Sequence, residues 1–365
     1  MGFRLEIREQ VVGLRTPLRA SWGVLDRRTL FLVELHGAGG PVGRGEAAPL
    51  DAYDGVSDDA CRAALRALAL ALSDIDESEP GHVILDRLTG VAPVQQALAA
   101  VDLAMWDRGA QRAGQPVAPL LASDALESVA VHRTIGGLPA DEAGAVAARA
   151  AAAGFTAFKV KVGAGVGETG FARALEADLA RVSAIRDAAG PGARIKVDAN
   201  GAWTVPEAQT AIEQLVRAPL RVAAVEEPVS GSDAWRHLRA ALNAARVDVE
   251  LSVDETADRE PGVVSRGPDV VEVKLARTGG IGPLLVKAAL AQLSGVQVAL
   301  ASTFDGPLGI AAAVHAAAAL KIDRPLGLAT LDALDLDDAP ELAELATRLA
   351  PVGGRIAVPA GPGLL

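Results

Sequence analysis

Phe158-Lys159-Val160-Lys161-Val162 is the stretch on which the fold turns. Side chains alternate faces along a strand, so both lysines lie on one face and the three apolar residues on the other. A solvated strand edge could carry that pattern once. Here the same parity returns in four later segments. Lys196 shares a face with Asp198, Ala224 with Glu226, Ser252 with Asp254, and Glu272 with Lys274. Helical patterns at 171–189, 206–217, 233–244 and 258–266 separate these segments. The alternation extends outward on both sides. A strand at Val129–Val131 and a helix over 140–153 come before, and a helix over 282–293, a strand at Val296–Leu300, a helix over 307–320 and a last strand near Leu326–Leu328 follow. Eight strands over roughly 200 residues have the length and rhythm of a strand–helix barrel. A doubly wound open sheet would need a glycine-rich first turn, and no Gly-x-Gly-x-x-Gly follows the first strand.

A barrel strand turns one face to the outer helices and the other to the lumen. Val160, Val197, Val225, Val253 and Val273 then pack against helices, and the polar set points inward. Lys161, Asp198, Glu226, Asp254 and Lys274 end their segments at the C-terminal mouth, where barrel enzymes place their chemistry. One layer below, Lys159, Lys196 and Glu272 are expected to neutralise neighbouring charges, because an unpaired charge there is costly. Neighbouring strands lie about 4.8 Å apart, so Asp198, Glu226 and Asp254 can converge on one ion. Three hard oxygen ligands suit Mg²⁺, or Mn²⁺ in its place. Lys161 and Lys274 come from opposite sides of that cluster. A nearby dication disfavours an ammonium and makes either lysine a usable base. The set implies removal of a proton next to a carboxylate, with the metal holding the resulting enediolate.

Upstream, residues 3–12 and 29–36 alternate as strands, Gly37–Pro41 turns into a short strand ending near Glu46, and 57–72 and 93–112 have helical spacing. This is an α+β unit. The expected division is a cap over 1–124, completed by the tail 346–365, and a barrel over 125–345. Within that tail, Gly353–Pro359 is expected to form a strand returning to the N-terminal unit. The 365 residues suit a barrel-sized domain plus a smaller one. A net charge of −11 without a basic stripe argues against nucleic acid. No apolar run is long and uncharged enough to span a bilayer, no signal-peptide order opens the chain, and the single Cys61 fits a reducing compartment. The expectation is a cytoplasmic homo-oligomer acting on a small-molecule carboxylate.

Lys159-Val-Lys161, Asp198-Ala-Asn200, Glu226-Glu-Pro228, Asp254-Glu255 and Lys274 before Gly279-Gly280 together resemble the enolase superfamily, in its muconate-lactonising subgroup. Gly43–Leu50 resembles the subgroup's capping strand, and Val101–Asp107 its long helix before the barrel. The resemblance implies an α+β cap on a (β/α)₇β barrel, metal ligation by Asp198, Glu226 and Asp254, and an acid/base pair in Lys161 and Lys274, with Lys159 tuning Lys161. Glu46-Ala-Ala-Pro49-Leu50 and Leu326-Gly-Leu-Ala-Thr-Leu331 lean toward o-succinylbenzoate synthases. That leaning implies syn dehydration of a succinyl-hydroxycyclohexadiene carboxylate in menaquinone biosynthesis. The alternatives are N-acylamino acid racemases, dipeptide epimerases and muconate-type cycloisomerases. Ser302-Thr-Phe-Asp305-Gly-Pro departs from the synthase pattern. Dipeptide epimerases carry an Asp-x-Asp near the last strand for the substrate's ammonium. Asp335-Leu-Asp337 lies past that point and is read as a helix start. Candidate lids are 20–24, with Trp22, and 51–55, with Tyr53. Lys159, Asn200, Ser302, Thr303, Asp305, Trp22 and Tyr53 are the candidate substrate contacts. His132, His315 and Trp203 are read as structural.

Overall fold

The computed structural model describes residues 2–20 and 23–365. The N-terminal unit is built on a long hairpin, β1 (Arg4–Ala20) and β2 (Gly23–His36), followed by β3 (Gly43–Ala47) along the other edge of β2. Both hairpin strands run well past the alternating stretches, because the register shift between Gly13 and Leu18 lets pairing continue to Ala20 and Gly23. The helix Gln95–Ala113 lies across this sheet and is buried over most of its length. Its alanines allow a very close approach to β3. A Cβ on Gly43 or Gly45 would sit 2.0 Å from the carbonyl oxygens of Ala104 and Ala100, so only glycine fits. Phe31, Val33 and Leu35 pack with Leu65, Leu68 and Leu72 of the helix Asp58–Leu72 to form the cap core.

The second unit starts with β4 (Ser128–Ala130) and β5 (Arg133–Ile135). It continues through β6 (Ala157–Lys161), β7 (Arg194–Asp198), β8 (Ala224–Glu226), β9 (Glu250–Val253), β10 (Val270–Lys274) and β11 (Gln297–Ala301). Strands β5 to β11 form a seven-stranded sheet in sequence order, with every pair parallel. Leu326 and Gly327 bridge Val131 on one side and Ala301 on the other, which closes the cylinder. Val160, Val197, Val225, Val253 and Val273 are buried in one core with Val182, Leu215, Leu238 and Leu284 of the surrounding helices. The outward parity read from the sequence holds.

Three expected elements differ. The segment read as the first barrel strand is split: Ser128–Ala130 form β4 and pair antiparallel with β13 (Arg355–Ala357), while Val131 makes the parallel bridge to Leu326. The barrel strand itself lies slightly later, at β5. The reason is burial: Val129 and Ile356 meet in register and are both buried. Consequently the tail strand does not return to the N-terminal sheet. Only the last residues reach that unit, where Leu364 N donates to Asp107 Oδ1 at 2.8 Å. Finally, Asp335 starts no helix. Leu334–Asp335 form β12, which pairs with Leu14 and Gly13 of β1, and the next helix begins at Pro340.

Candidate active site

Register builds the site. Lys161, Asp198, Glu226 and Ser252 are successive partners across β6 to β9. Asp254 follows β9 directly, and Lys274 ends β10. The row climbs along the later strands, as barrel stagger requires. Asp198 and Glu226 are fully buried and Asp254 is 3 % exposed. Buried carboxylates need compensation, and four lysines provide it. Lys159 Nζ lies 2.8 Å from Asp198 Oδ2 and 2.5 Å from Glu226 Oε1. Lys196 Nζ lies 2.8 Å from Glu226 Oε2 and 2.6 Å from Glu272 Oε1. Lys161 Nζ donates to Asp198 Oδ2 at 2.6 Å and Asn200 Oδ1 at 2.8 Å. Lys274 Nζ donates to Asp254 and, at 2.6 Å, to Tyr53 Oη. The lower layer of Lys159, Lys196 and Glu272 is neutralised as expected.

Burial would raise the Glu226 carboxyl, but Lys159 and Lys196 outweigh it and hold the pKa at about 2. Burial would lower the Lys274 ammonium, but Asp254 and Glu255 outweigh it and raise the pKa. This is opposite to the direction expected beside a dication, because the lysine's immediate neighbours are anions. Two further acids were quoted in the motifs without a role. Glu227 has φ +40° and accepts from the backbone N–H groups of Asp254 (2.8 Å) and Thr256 (2.9 Å), which fixes the Asp254 turn. Glu255 accepts from Asn200 Nδ2 at 2.8 Å, which aims Oδ1 at Lys161. Burial is the main force pushing Glu227 to about 8 and Glu255 to about 7.

The trio Asp198, Glu226 and Asp254 has the chemistry of a hard-cation site: three adjacent strands, only carboxylate oxygens, and one orphan. Glu226 Oε2 is buried and makes no aligned hydrogen bond, despite the nearby Lys196 ammonium. The trio is more open than expected, since its acids are drawn toward lysines. Among the described residues, the group of three ligands with all atoms within 4.8 Å is Glu6, Glu34 and His36 on the cap sheet.

Above the trio is a cavity of about 70 Å³, lined by Tyr53, Lys161, Asn200, Lys274, Ser302 and Thr303 among others. Lys159 and His132 also reach it. Burial, then Lys196 and Lys159, push the His132 pKa well down. Leu18, Thr134, Phe304 and Thr330 connect the cavity to an outer one of about 390 Å³ with walls from Leu14, Pro17 and Leu138. Among the described residues, the one carboxylate on that outer wall is Asp332, which is paired with Arg133. Asp305 does not line either cavity. It is buried, accepts from Thr303 Oγ1 at 2.9 Å, and faces Arg28. Asp335 and Asp337 lie outside as well and pair with exposed Arg15. Trp22 falls outside the described residues.

Cap and barrel are locked by contacts that sequence spacing does not announce. Arg28 on β2 is buried and donates to the carbonyls of Pro49 (2.5 Å), Ala48 (2.8 Å) and Phe304 (3.3 Å). Glu46, raised to about 8 chiefly by burial, accepts from Gly306 N at 2.5 Å. Asp102 of the long cap helix accepts from Ile281 N at 2.6 Å, at the start of the helix Ile281–Leu293. His315 is structural: Nδ1 accepts from Ala118 N and Nε2 donates to Leu364 O.

Residues 3–122 match the family model "Mandelate racemase / muconate lactonizing enzyme, N-terminal domain", and residues 142–364 match "Enolase C-terminal domain-like". The chain belongs to the enolase superfamily. Within it, the chain is similar to L-Ala-D/L-Glu epimerase of Bacillus subtilis, 30% identical over 344 residues, 90% of this chain and 89% of that one. The solved structure of a dipeptide epimerase from Enterococcus faecalis, complexed with Mg and the dipeptide L-Leu-L-Tyr, superposes with TM-score 0.85 and 25% identity, covering 100% of this chain and 99% of that chain. o-Succinylbenzoate synthase of Thermobifida fusca is 35% identical, but over 216 residues, 58% of this chain and 62% of that one. The similarity favours the epimerase alternative over the synthase expected from the sequence.

Proposed function

We propose that this member of the superfamily is a Mg²⁺-dependent epimerase or racemase acting at the carbon next to a carboxylate, on an amino acid whose nitrogen is acylated. One observation carries the reading: two lysines, Lys161 from β6, partly buried, and Lys274 from β10, buried, flank a carboxylate cluster at the barrel mouth. Asp198, Glu226 and Asp254 would hold Mg²⁺ or Mn²⁺. The ion, when bound, supplies positive charge for the substrate carboxylate. The chain's own residues do the rest. One lysine, as the neutral amine, takes the α-proton; the electron pair moves into the carboxylate, and the opposite ammonium returns a proton to the other face. Asn200 and Tyr53 hold the two lysines, and the cap walls exclude water.

The outer cavity favours an acyl group over a free aminoacyl group. A substrate ammonium would need an unpaired acid, and the one acid among the described residues of that wall already has Arg133. That same feature keeps dehydration to o-succinylbenzoate as a second reading, since its substrate carries no ammonium. Incubation of N-acyl amino acids and dipeptides in D₂O with Mg²⁺ tests the proposal. Stereochemical scrambling with α-deuterium uptake is the expected result. Bleaching of the cyclohexadiene chromophore without any scrambling would replace it with the synthase.

A further inference from the structure

The two lysines are held in matching ways, with one difference. Each contacts one proposed metal-ligating carboxylate and one uncharged oxygen. For Lys161 these are Asp198 and Asn200 Oδ1, and for Lys274 they are Asp254 and Tyr53 Oη. Asn200 belongs to the barrel and is pinned there by Glu255. Tyr53 belongs to the cap, in the short helix Asp51–Asp54. Its ring centroid lies 4.9 Å from Lys274 Nζ and 4.8 Å from the Arg277 guanidinium. Its hydroxyl accepts from Lys274 at 2.6 Å and donates to Asp254 Oδ2 at 3.2 Å.

A lysine can rotate freely about its last carbon–nitrogen bond unless an acceptor takes one of its protons. An amine that gives one N–H to Tyr53 has its lone pair aimed elsewhere. A carboxylate that turns to a cation stops serving this purpose, and the uncharged oxygen remains. We propose that Tyr53 is a positioning residue for Lys274, so that proton transfer on the Lys274 side of the substrate depends on the cap, while transfer on the Lys161 side does not. The inference rests on the two-lysine reading above and adds an asymmetry to it.

Single-lysine backgrounds test it in the full chain with Mg²⁺. In Lys161→Ala, any α-hydrogen exchange with D₂O is carried by Lys274 alone; in Lys274→Ala it is carried by Lys161 alone. Adding Tyr53→Phe is expected to slow exchange about tenfold in the first background and less than about twofold in the second. Equal losses in both would overturn the inference. Asn200→Ala is expected to reverse the pattern. A second readout needs no turnover. Acetic anhydride labelling of the full chain, without added metal and read lysine by lysine, should rise at Lys274 and stay constant at Lys161 in Tyr53→Phe. Unchanged Lys274 labelling would also overturn it. Absence of exchange in the wild-type protein would sink the epimerase reading alone, and the labelling experiment would still decide the role of Tyr53.

Discussion

Replacing Lys159 with methionine tests the electrostatic logic of the barrel interior without relying on any activity. The substitution keeps the length of the side chain and removes the ammonium that lies 2.8 Å from Asp198 and 2.5 Å from Glu226. Both carboxylates are fully buried, so water cannot take over. Each keeps one lysine, Lys161 for Asp198 and Lys196 for Glu226. Breaking a buried ion pair from one side costs about 3–5 kcal/mol. The direction of the Glu226 shift agrees: burial raises its carboxyl, but Lys159 first and then Lys196 outweigh it and bring it from 4.5 to about 2. The sign follows from the direction: a depressed carboxyl stabilises the fold above about pH 4.5, and that contribution is lost as pH falls toward about 2. Guanidinium denaturation followed by tryptophan fluorescence should therefore show the variant about 3–5 kcal/mol weaker at pH 7, with the gap narrowing below pH 4.5. A gap under about 1 kcal/mol at pH 7, or one that does not vary with pH, would refute the argument.

Other outcomes are equally definite. Lys161→Ala and Lys274→Ala should each lower epimerisation by at least about 10²-fold, the ordinary contribution of a positioned acid or base, and full activity in either rejects the mechanism. Gly280→Ala places a Cβ 2.3 Å from Asp102 Oδ2 at φ +120° and should cost about 2–5 kcal/mol in denaturant titrations. Much of that loss should disappear in an Asp102→Gly background; an undiminished loss there would assign the cost to strain alone. His315 is lowered to about 4, first by burial, so the unfolded chain takes its proton first. Stability should fall as pH drops from about 6.5 to about 4, by up to about 3 kcal/mol. A His315→Gln protein showing the same slope in that window would contradict this.

How much of this was readable from the residues differs between the two units. The barrel and its mouth were legible because strand parity is a period-two signal, and five ionisable residues fall on one phase of it. Burial of a charge on that phase forces partners, and Lys159, Lys196 and Glu272 found them. The helix boundaries also followed, since glycines at 154, 170 and 190 take positive φ where helices stop or start. What was hidden depends on contacts between distant segments. Nothing local tells that Arg28 would reach the Phe304 carbonyl, 276 residues away, or that Asp305 would turn from the cavity toward it. Glu227 and Glu255 stood in plain view as second members of acidic pairs. Their importance comes from backbone donors that only the folded turn supplies. The first barrel strand, placed only in part, has the same origin: Val131 meets Leu326 in the barrel, but the partner of Val129 is Ile356 at the far end of the chain.

The small strand β12 has a consequence for how the chain is made. At Gly13 and Leu14 the outer edge of β1 is covered by residues 334–335, which leave the ribosome long after the hairpin does. Synthesis proceeds at about 5–20 residues per second, so the edge stays open for tens of seconds. During that wait the middle of β1 is an unpaired template for pairing with other nascent chains. A truncation ending before residue 330 would make that exposure permanent. Such a fragment should precipitate through its hairpin, even though every residue of that hairpin is present.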